Sequence, residues 1–191
     1  MSSFYTKINS GFLKGKILKL PSLNLTRSTK NIVKGSFFNS FRFDLKDRVF
    51  IEMFGGSGSM AAEAVSNFAK IGIAIEKDRS AFNVLNENFI NLKQNLKAYN
   101  GDAFELMNEI LMQIDDEIIL YIDPPFNIRE GFLDVYEKVA NFIQNLSAKN
   151  IFLIAIEHNS EIKFDEKISK FKKIKTKKFG STSLSYYKIE L

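Results

Sequence analysis

Apolar positions along the chain fall into two regimes that meet near residue 48. Before it they come in short, polar-interrupted pieces. Gly11-Phe-Leu-Lys14-Gly15-Lys16-Ile-Leu-Lys-Leu-Pro21 alternates and turns on glycines, which predicts one or two short strands. Thr29 to Phe43 carries Ile32, Val33, Phe37 and Phe41 on one face, the spacing of a helix capped by Ser28 or Thr29, with Gly35 as its weak point. From Arg48 onward, short apolar runs alternate with helical patterns. Strands are expected at Val49–Phe54, Ile71–Ile75, Leu96–Tyr99, Ile118–Ile122 and Asn150–Ile156. Helices are expected from Gly58 to Phe68, Arg79 to Leu92, Asp102 to Gln113 and Glu130 to Leu146, with a weaker one at Glu161–Phe171. Ile174–Phe179 and Leu184–Glu190, joined by Gly180-Ser-Thr-Ser183, read as a terminal hairpin.

Such alternation predicts an α/β fold: a mostly parallel, seven-stranded sheet with helices on both faces and an antiparallel carboxyl-terminal hairpin. Residues 1–47 are expected to form a small basic amino-terminal extension, and 48–191 the main domain. A chain of 191 residues with 45% hydrophobic residues has enough apolar matter for one sizeable core. The composition then removes whole classes of chemistry. With no Cys, disulfides, thiolate metal sites and a cysteine nucleophile are all excluded. With one His, a histidine metal cluster is excluded as well, and no metal site is expected. No targeting run or membrane-length apolar stretch is read from the sequence, so a cytoplasmic protein is expected.

Net charge is +5, but it is segregated. Residues 1–48 hold ten Lys/Arg and two acids, 49–160 hold eight and sixteen, and 161–191 hold nine and four. Basic ends around an acidic centre suggest that the ends face a polyanion, although Lys-rich solvated ends would look the same.

Three motifs sit where strands should end. Glu52-Met-Phe54-Gly55-Gly56-Ser-Gly58 turns from strand to helix, the context in which a Gly-rich loop lets backbone approach a ligand. Glu76 follows Gly56 by twenty residues and ends the second strand of the main domain, where a carboxylate can accept from two ribose hydroxyls. Asp102 closes the third strand; it can accept from an adenine amine, cap the next helix, or do both. Asp123-Pro124-Pro125-Phe126 ends the fourth strand and uses two of the chain's three prolines. Paired prolines fix carbonyl acceptors and remove donors, so a carboxylate beside them, followed by an aromatic ring, suits a planar base with an exocyclic amine.

In this order the motifs resemble the S-adenosylmethionine-dependent amino-group methyltransferases, of Rossmann-like class I fold. The chain from about residue 8 to 190 resembles, more narrowly, the RsmD family, which methylates the N2 amine of a guanine in bacterial small-subunit (16S) ribosomal RNA. Ser10–Lys16, Arg27–Asn39 and Phe179–Thr182 resemble that family's amino-terminal hairpin, its following helix and its final hairpin. Departures are Glu52 for Asp, Gly55 for Ala and Ala61 for Gly near the loop, and Ser28 for Pro, Gly35 for Glu and Ser181 for Asp in the presumed RNA-facing parts. The resemblance implies S-adenosylmethionine as cofactor, held by Glu52, Phe54, Gly55, Gly56, Gly58, Glu76, Lys77, Asp102, Ala103 and Asp123. It implies catalysis at Asp123, Pro124, Pro125 and Phe126. Ribosomal RNA, free or in an assembled small-subunit particle, becomes the expected partner of a monomer. Lys14, Lys16, Arg27, Lys34, Arg129, Lys177 and Lys178 are its candidate contacts. Related methyltransferases of DNA adenine, DNA cytosine or protein glutamine remain alternatives, as does a non-catalytic RNA-binding assembly factor with a vestigial cofactor fold. Asp rather than Asn at position 123 counts against the former, and the intact Asp123 turn against the latter. A nicotinamide enzyme is disfavoured, having no use for a carboxylate beside two prolines. His158 reads as incidental.

Overall fold

The β-branched runs after residue 48 assemble into one sheet. The computed structural model describes residues 4–21, 27–125 and 132–190, without the side chains of residues 27–29 and 132–134. Five parallel strands, β3 (Val49–Glu52), β4 (Ile71–Glu76), β5 (Leu96–Asn100), β6 (Ile118–Ile122) and β7 (Ile151–Asn159), are continued by antiparallel β10 (Thr182–Ile189), β9 (Phe171–Phe179) and the two-residue β8 (Lys167–Ile168). Their order is β5-β4-β3-β6-β7-β10-β9-β8. The order reverses between β3 and β6, and in open α/β sheets ligands bind in the crevice that opens there at the carboxyl ends of the strands.

Successive residues point to opposite faces, so each strand feeds two cores. Phe50, Tyr121 and Tyr186 pack under α1 (Arg27–Phe41), α2 (Ser59–Ser66) and α3 (Arg79–Leu92). Their neighbours Ile51, Leu120 and Tyr187 pack under α4 (Ala103–Met112) and α5 (Phe132–Gln144). Among the described residues no helix is long and apolar enough to cross a membrane.

The amino-terminal segment forms a hairpin, then α1; β2 (Ile17–Leu20) falls in the segment expected to hold strands, but its partner β1 (Phe4–Lys7) lies before it and residues 11–15 turn. The change of pattern at residue 48 is not a change of packing, however. Ile8, Leu13, Leu18, Val33, Phe37 and Phe41 belong to the same buried cluster as Phe50 and Ala61. The hairpin's loop also docks on the far end of α2, where Phe12 and Leu13 donate to the Ser66 carbonyl and hydroxyl, each at 2.9 Å. The described residues of this segment, 4–21 and 27–47, thus share the main core.

Two expectations need correction. The helix expected at Glu161–Phe171 is absent; the segment turns and pairs as β8. Its apolar residues are claimed one at a time by different neighbours: Phe164 by the rings of Tyr136 and His158, and Ile168 by Phe171 across the turn. Its carbonyls are taken as well, Phe164 O by the Lys173 ammonium and Asp165 O by the Tyr187 hydroxyl. Long-range partners there override a weak helical pattern. In consequence the sheet has eight strands rather than seven among the described residues.

Candidate active site

Strand register brings carboxylates from four strands into one row. Glu52 pairs with Ala74 on one side and Tyr121 on the other, so Glu76 and Asp123 each lie two residues beyond it. Ile122 pairs with Ile156, which sets Glu157 beside Asp123. Two-residue spacing from Ala74, Phe50, Tyr121 and Ala155 puts all four acids on the α1–α3 face. The row therefore runs Glu76, Glu52, Asp123, Glu157 across the crevice.

A cleft of about 560 Å³ covers one half of the row, lined by Met53, Phe54, Ile75, Glu76, Lys77, Asp102, Ala103, Phe104 and the Asp123-Pro124-Pro125 turn. Two of the carboxylates bordering it, Glu76 and Asp102, are already held. Glu76 accepts from the Gly56 and Asp78 backbone N–H groups, both at 2.8 Å. Asp102 caps α4 by accepting from Phe104 N and pairs with the Lys77 ammonium at 2.9 Å. That contact holds its carboxyl below the usual range. Gly56 and Gly58 have φ of +52° and +73°, a left-handed backbone that L side chains disfavour. A Cβ at Gly58 would lie 2.4 Å from the Phe89 ring, whereas one at Gly56 would meet nothing within 4 Å, so open space lies over that glycine.

A second cavity, about 370 Å³, lies under the amino-terminal hairpin and meets the first at Lys30, Phe54, Gly56 and Asp123. Glu52, Tyr121, Asp123 and Glu157 line it from the sheet, Lys30 and Asn31 from α1, and Tyr5, Thr6 and Lys7 from β1. Its acids are under-compensated. Glu52, 5% exposed, accepts from Ala61 N at 3.0 Å, yet burial pushes its carboxyl up to about 8. Glu157, also 5% exposed, accepts from the Tyr121 hydroxyl at 2.8 Å and is likewise pushed to about 8 by burial and by Asp123. Asp123 meets the Lys30 ammonium at 3.4 Å through Oδ2, while its Oδ1 is buried without a partner among the described residues. Burial raises its carboxyl despite Lys30, and Asp123 in turn raises Lys30.

Glu52, Phe54, Gly55, Gly56, Glu76, Lys77, Asp102, Ala103 and Asp123 thus gather around the two cavities, with Pro124 and Pro125 on the cleft wall, whereas Gly58 lines neither and packs against Phe89. Phe126 and Arg129 lie outside the described residues, and so does the side chain of Arg27. The expected RNA contacts divide. Lys14, Lys16 and Lys178 are exposed. Lys34 is corrected: it is 5% exposed, ion-paired to Glu63 at 2.7 Å and bonded to Lys7 O, so its charge is spent in docking α1. The Lys177 ammonium is held by the Ser36 and Ser40 hydroxyls of α1 at 3.0 and 2.8 Å. Sequence reasoning missed Lys30, Tyr121 and Glu157. Only Glu157 left a trace, a carboxylate in the otherwise apolar run of β7.

The donor set fits S-adenosylmethionine. Acceptors at Glu76 and Asp102 face an apolar cleft of cofactor size, with open space over Gly56, and Asp123 lies on the same cleft wall. Among solved structures, the Escherichia coli protein yhhF, provisionally described as a methyltransferase, superimposes with a TM-score of 0.73 at 25% identity, covering 98% of this chain and 99% of its own. Fold and site together define a class I, S-adenosylmethionine-dependent methyltransferase. A family profile described as "Conserved hypothetical protein 95" matches residues 6–188, and the chain belongs to that family, the RsmD family. Bacillus subtilis YlbH, provisionally named an rRNA methyltransferase, is 25% identical over 184 residues, 95% of this chain and 98% of its own. The Escherichia coli protein named ribosomal RNA small subunit methyltransferase D is 30% identical over 129 residues, 67% of this chain and 63% of its own.

Proposed function

We propose that the protein transfers a methyl group from S-adenosylmethionine to the exocyclic N2 amine of a guanine in small-subunit ribosomal RNA. The observation that carries this reading is Asp123: four-fifths buried, with one oxygen unpartnered, where the two cavities meet. When bound, the cofactor supplies an electrophilic methyl on a sulfonium. Glu76 accepts from the ribose hydroxyls, Asp102 faces the adenine, and Glu52 with the Gly55–Gly58 turn borders the methionine end.

A guanine amine is a weak nucleophile because its lone pair is delocalised into the ring. Asp123 and the Pro124 carbonyl accept its two hydrogens, favour a pyramidal nitrogen and stabilise the positive charge that grows there. Asp123 and Pro124 hold the amine in line, so that its nitrogen pair takes the methyl the bound cofactor would supply, the carbon–sulfur bonding pair staying on the cofactor's sulfur. The surplus proton leaves the amine through Asp123 to solvent. Alignment of the two reactants supplies much of the remainder, up to about 7–11 kcal/mol in well-oriented systems. The base must leave its stack to enter the pocket, and Phe126 is proposed to hold it there.

Exposed Lys14, Lys16 and Lys178, with Arg27 and Arg129, are proposed to meet phosphate. Affinity for RNA then falls steeply as salt rises; salt-independent binding would remove the patch from the account. The same proposal takes a monomer as the working species, in the cytoplasm, on RNA either free or in an assembled small-subunit particle. Labelled cofactor incubated with total RNA and small-subunit particles from cells lacking the protein tests the reading. Label is expected as N2-methylguanosine at one small-subunit position; label in another nucleoside, or none, contradicts it.

A further inference from the structure

We propose that Glu157 determines the base that is methylated, by accepting the guanine N1–H while Asp123 accepts from the neighbouring N2 amine. This rests on the function just proposed and adds to it the residue that selects the base.

Glu157 stands next to Asp123 on the adjacent parallel strand, on the same face of the sheet, and both line the cavity under the hairpin. Asp123 is shared with the cofactor cleft; Glu157 is not. A base whose amine meets Asp123 can turn one flanking ring atom toward Glu157.

That atom distinguishes the bases. In guanine one flank of the amine is N1–H, a donor, and the other is the N3 acceptor; only guanine offers a donor flank. In adenine the corresponding neighbour is N1, in cytosine N3, and both are acceptors. Two carboxylates side by side accept from a donor pair and repel a lone pair, so the pocket's chemistry matches guanine alone among the amine-bearing bases.

Glu157 also has the support and the spare capacity for this work. The Tyr121 hydroxyl fixes its Oε2 at 2.8 Å, and no hydrogen bond reaches its Oε1 among the described residues. On the strand beyond, Tyr186 is fully buried with its hydroxyl unpartnered among the described residues, and it feels the Glu157 charge. Lys30, from α1, supplies a positive charge to the pair from above. Burial and Asp123 push the Glu157 carboxyl up to about 8 when the pocket holds no base. An N1–H directed at it favours the ionised form and offsets that penalty, whereas a ring lone pair repels the ionised form and is met only while the carboxyl keeps its proton.

A chemical double-mutant cycle tests the assignment. Once the methylated guanine is mapped, the same RNA is prepared with 2-aminopurine at that position; it keeps the amine but has no N1–H. Wild-type protein is expected to lose on the order of 10- to 100-fold in kcat/KM on the 2-aminopurine RNA, the scale of a lost charge-assisted hydrogen bond. In E157Q the amide can donate to the ring nitrogen, so the preference for guanine should collapse to within about threefold, chiefly through loss on guanine. Equal losses on both RNAs in E157Q would make Glu157 a packing residue and overturn the proposal. Should E157Q fail to fold, the wild-type comparison decides alone, since equal rates on guanine and 2-aminopurine exclude any reader of N1–H. If no RNA is methylated by wild-type protein, the fault lies with the proposed function and not with Glu157.

Discussion

The two cavities that meet at Asp123 handle their acids in opposite ways. In the cleft, both oxygens of Glu76 are bonded to backbone, and Asp102 has a helix cap and a lysine. These carboxylates help build the walls and stand finished before any ligand arrives. Under the hairpin, Lys30 meets Asp123 alone, at 3.4 Å, and acts on Glu52 and Glu157 only from a distance; both of those are pushed up to about 8. A buried carboxylate short of partners costs stability, and such strain persists where a ligand is meant to relieve it. The contrast assigns rigid shape to the cleft and stored electrostatic demand to the pocket.

Substitutions should separate the two. Glu76→Ala strips acceptors from two backbone N–H groups, so the Gly55–Gly58 turn loosens. A loss of about 2–3 kcal/mol in unfolding free energy is expected, with cofactor affinity down on the order of 10- to 100-fold by calorimetry. An unchanged midpoint would mean that the cleft is not prebuilt. In the pocket, Lys30→Met removes the counter-charge and lets the Asp123 carboxyl rise further. The acidic limb of the pH–rate profile should move upward, cutting turnover at neutral pH roughly tenfold for each unit moved; an unmoved limb would detach Lys30 from Asp123. A further effect is in pH and stability. The folded chain keeps protons on Glu52 and Glu157 that the unfolded chain gives up near 4.5. Their contribution is therefore complete below about 4.5 and is lost as pH rises through about 8. Melting temperature should fall across that window by about 2–4 °C per kcal/mol, and less in Glu157→Gln. A flat profile would say that the pocket acids are compensated after all.

What could be read from the sequence follows how far apart the partners lie along the chain. The Gly-rich turn and the Asp123-Pro124-Pro125 turn are complete within a few residues, so their chemistry is written locally. Glu76 and Asp102 were placed by strand ends, which hydrophobic runs mark well. Lys30, by contrast, meets Asp123 across ninety-three residues, and Tyr121 meets Glu157 across thirty-six. No local pattern reports such pairs. Lys34 was misread for the same reason: on a basic helix it looks like its exposed neighbours, and only Glu63 on α2 makes it internal. The segment 161–171 failed because its apolar residues serve different partners.

The most direct test of stored demand in the pocket is Asp123→Ala, read twice on one preparation: thermal unfolding with and without S-adenosylhomocysteine, and methyl transfer to small-subunit RNA. The account predicts a melting temperature equal to or above wild type, an unchanged ligand-induced shift, and transfer reduced at least about 1000-fold. Wild-type turnover, or loss of the ligand-induced shift together with stability, would contradict it.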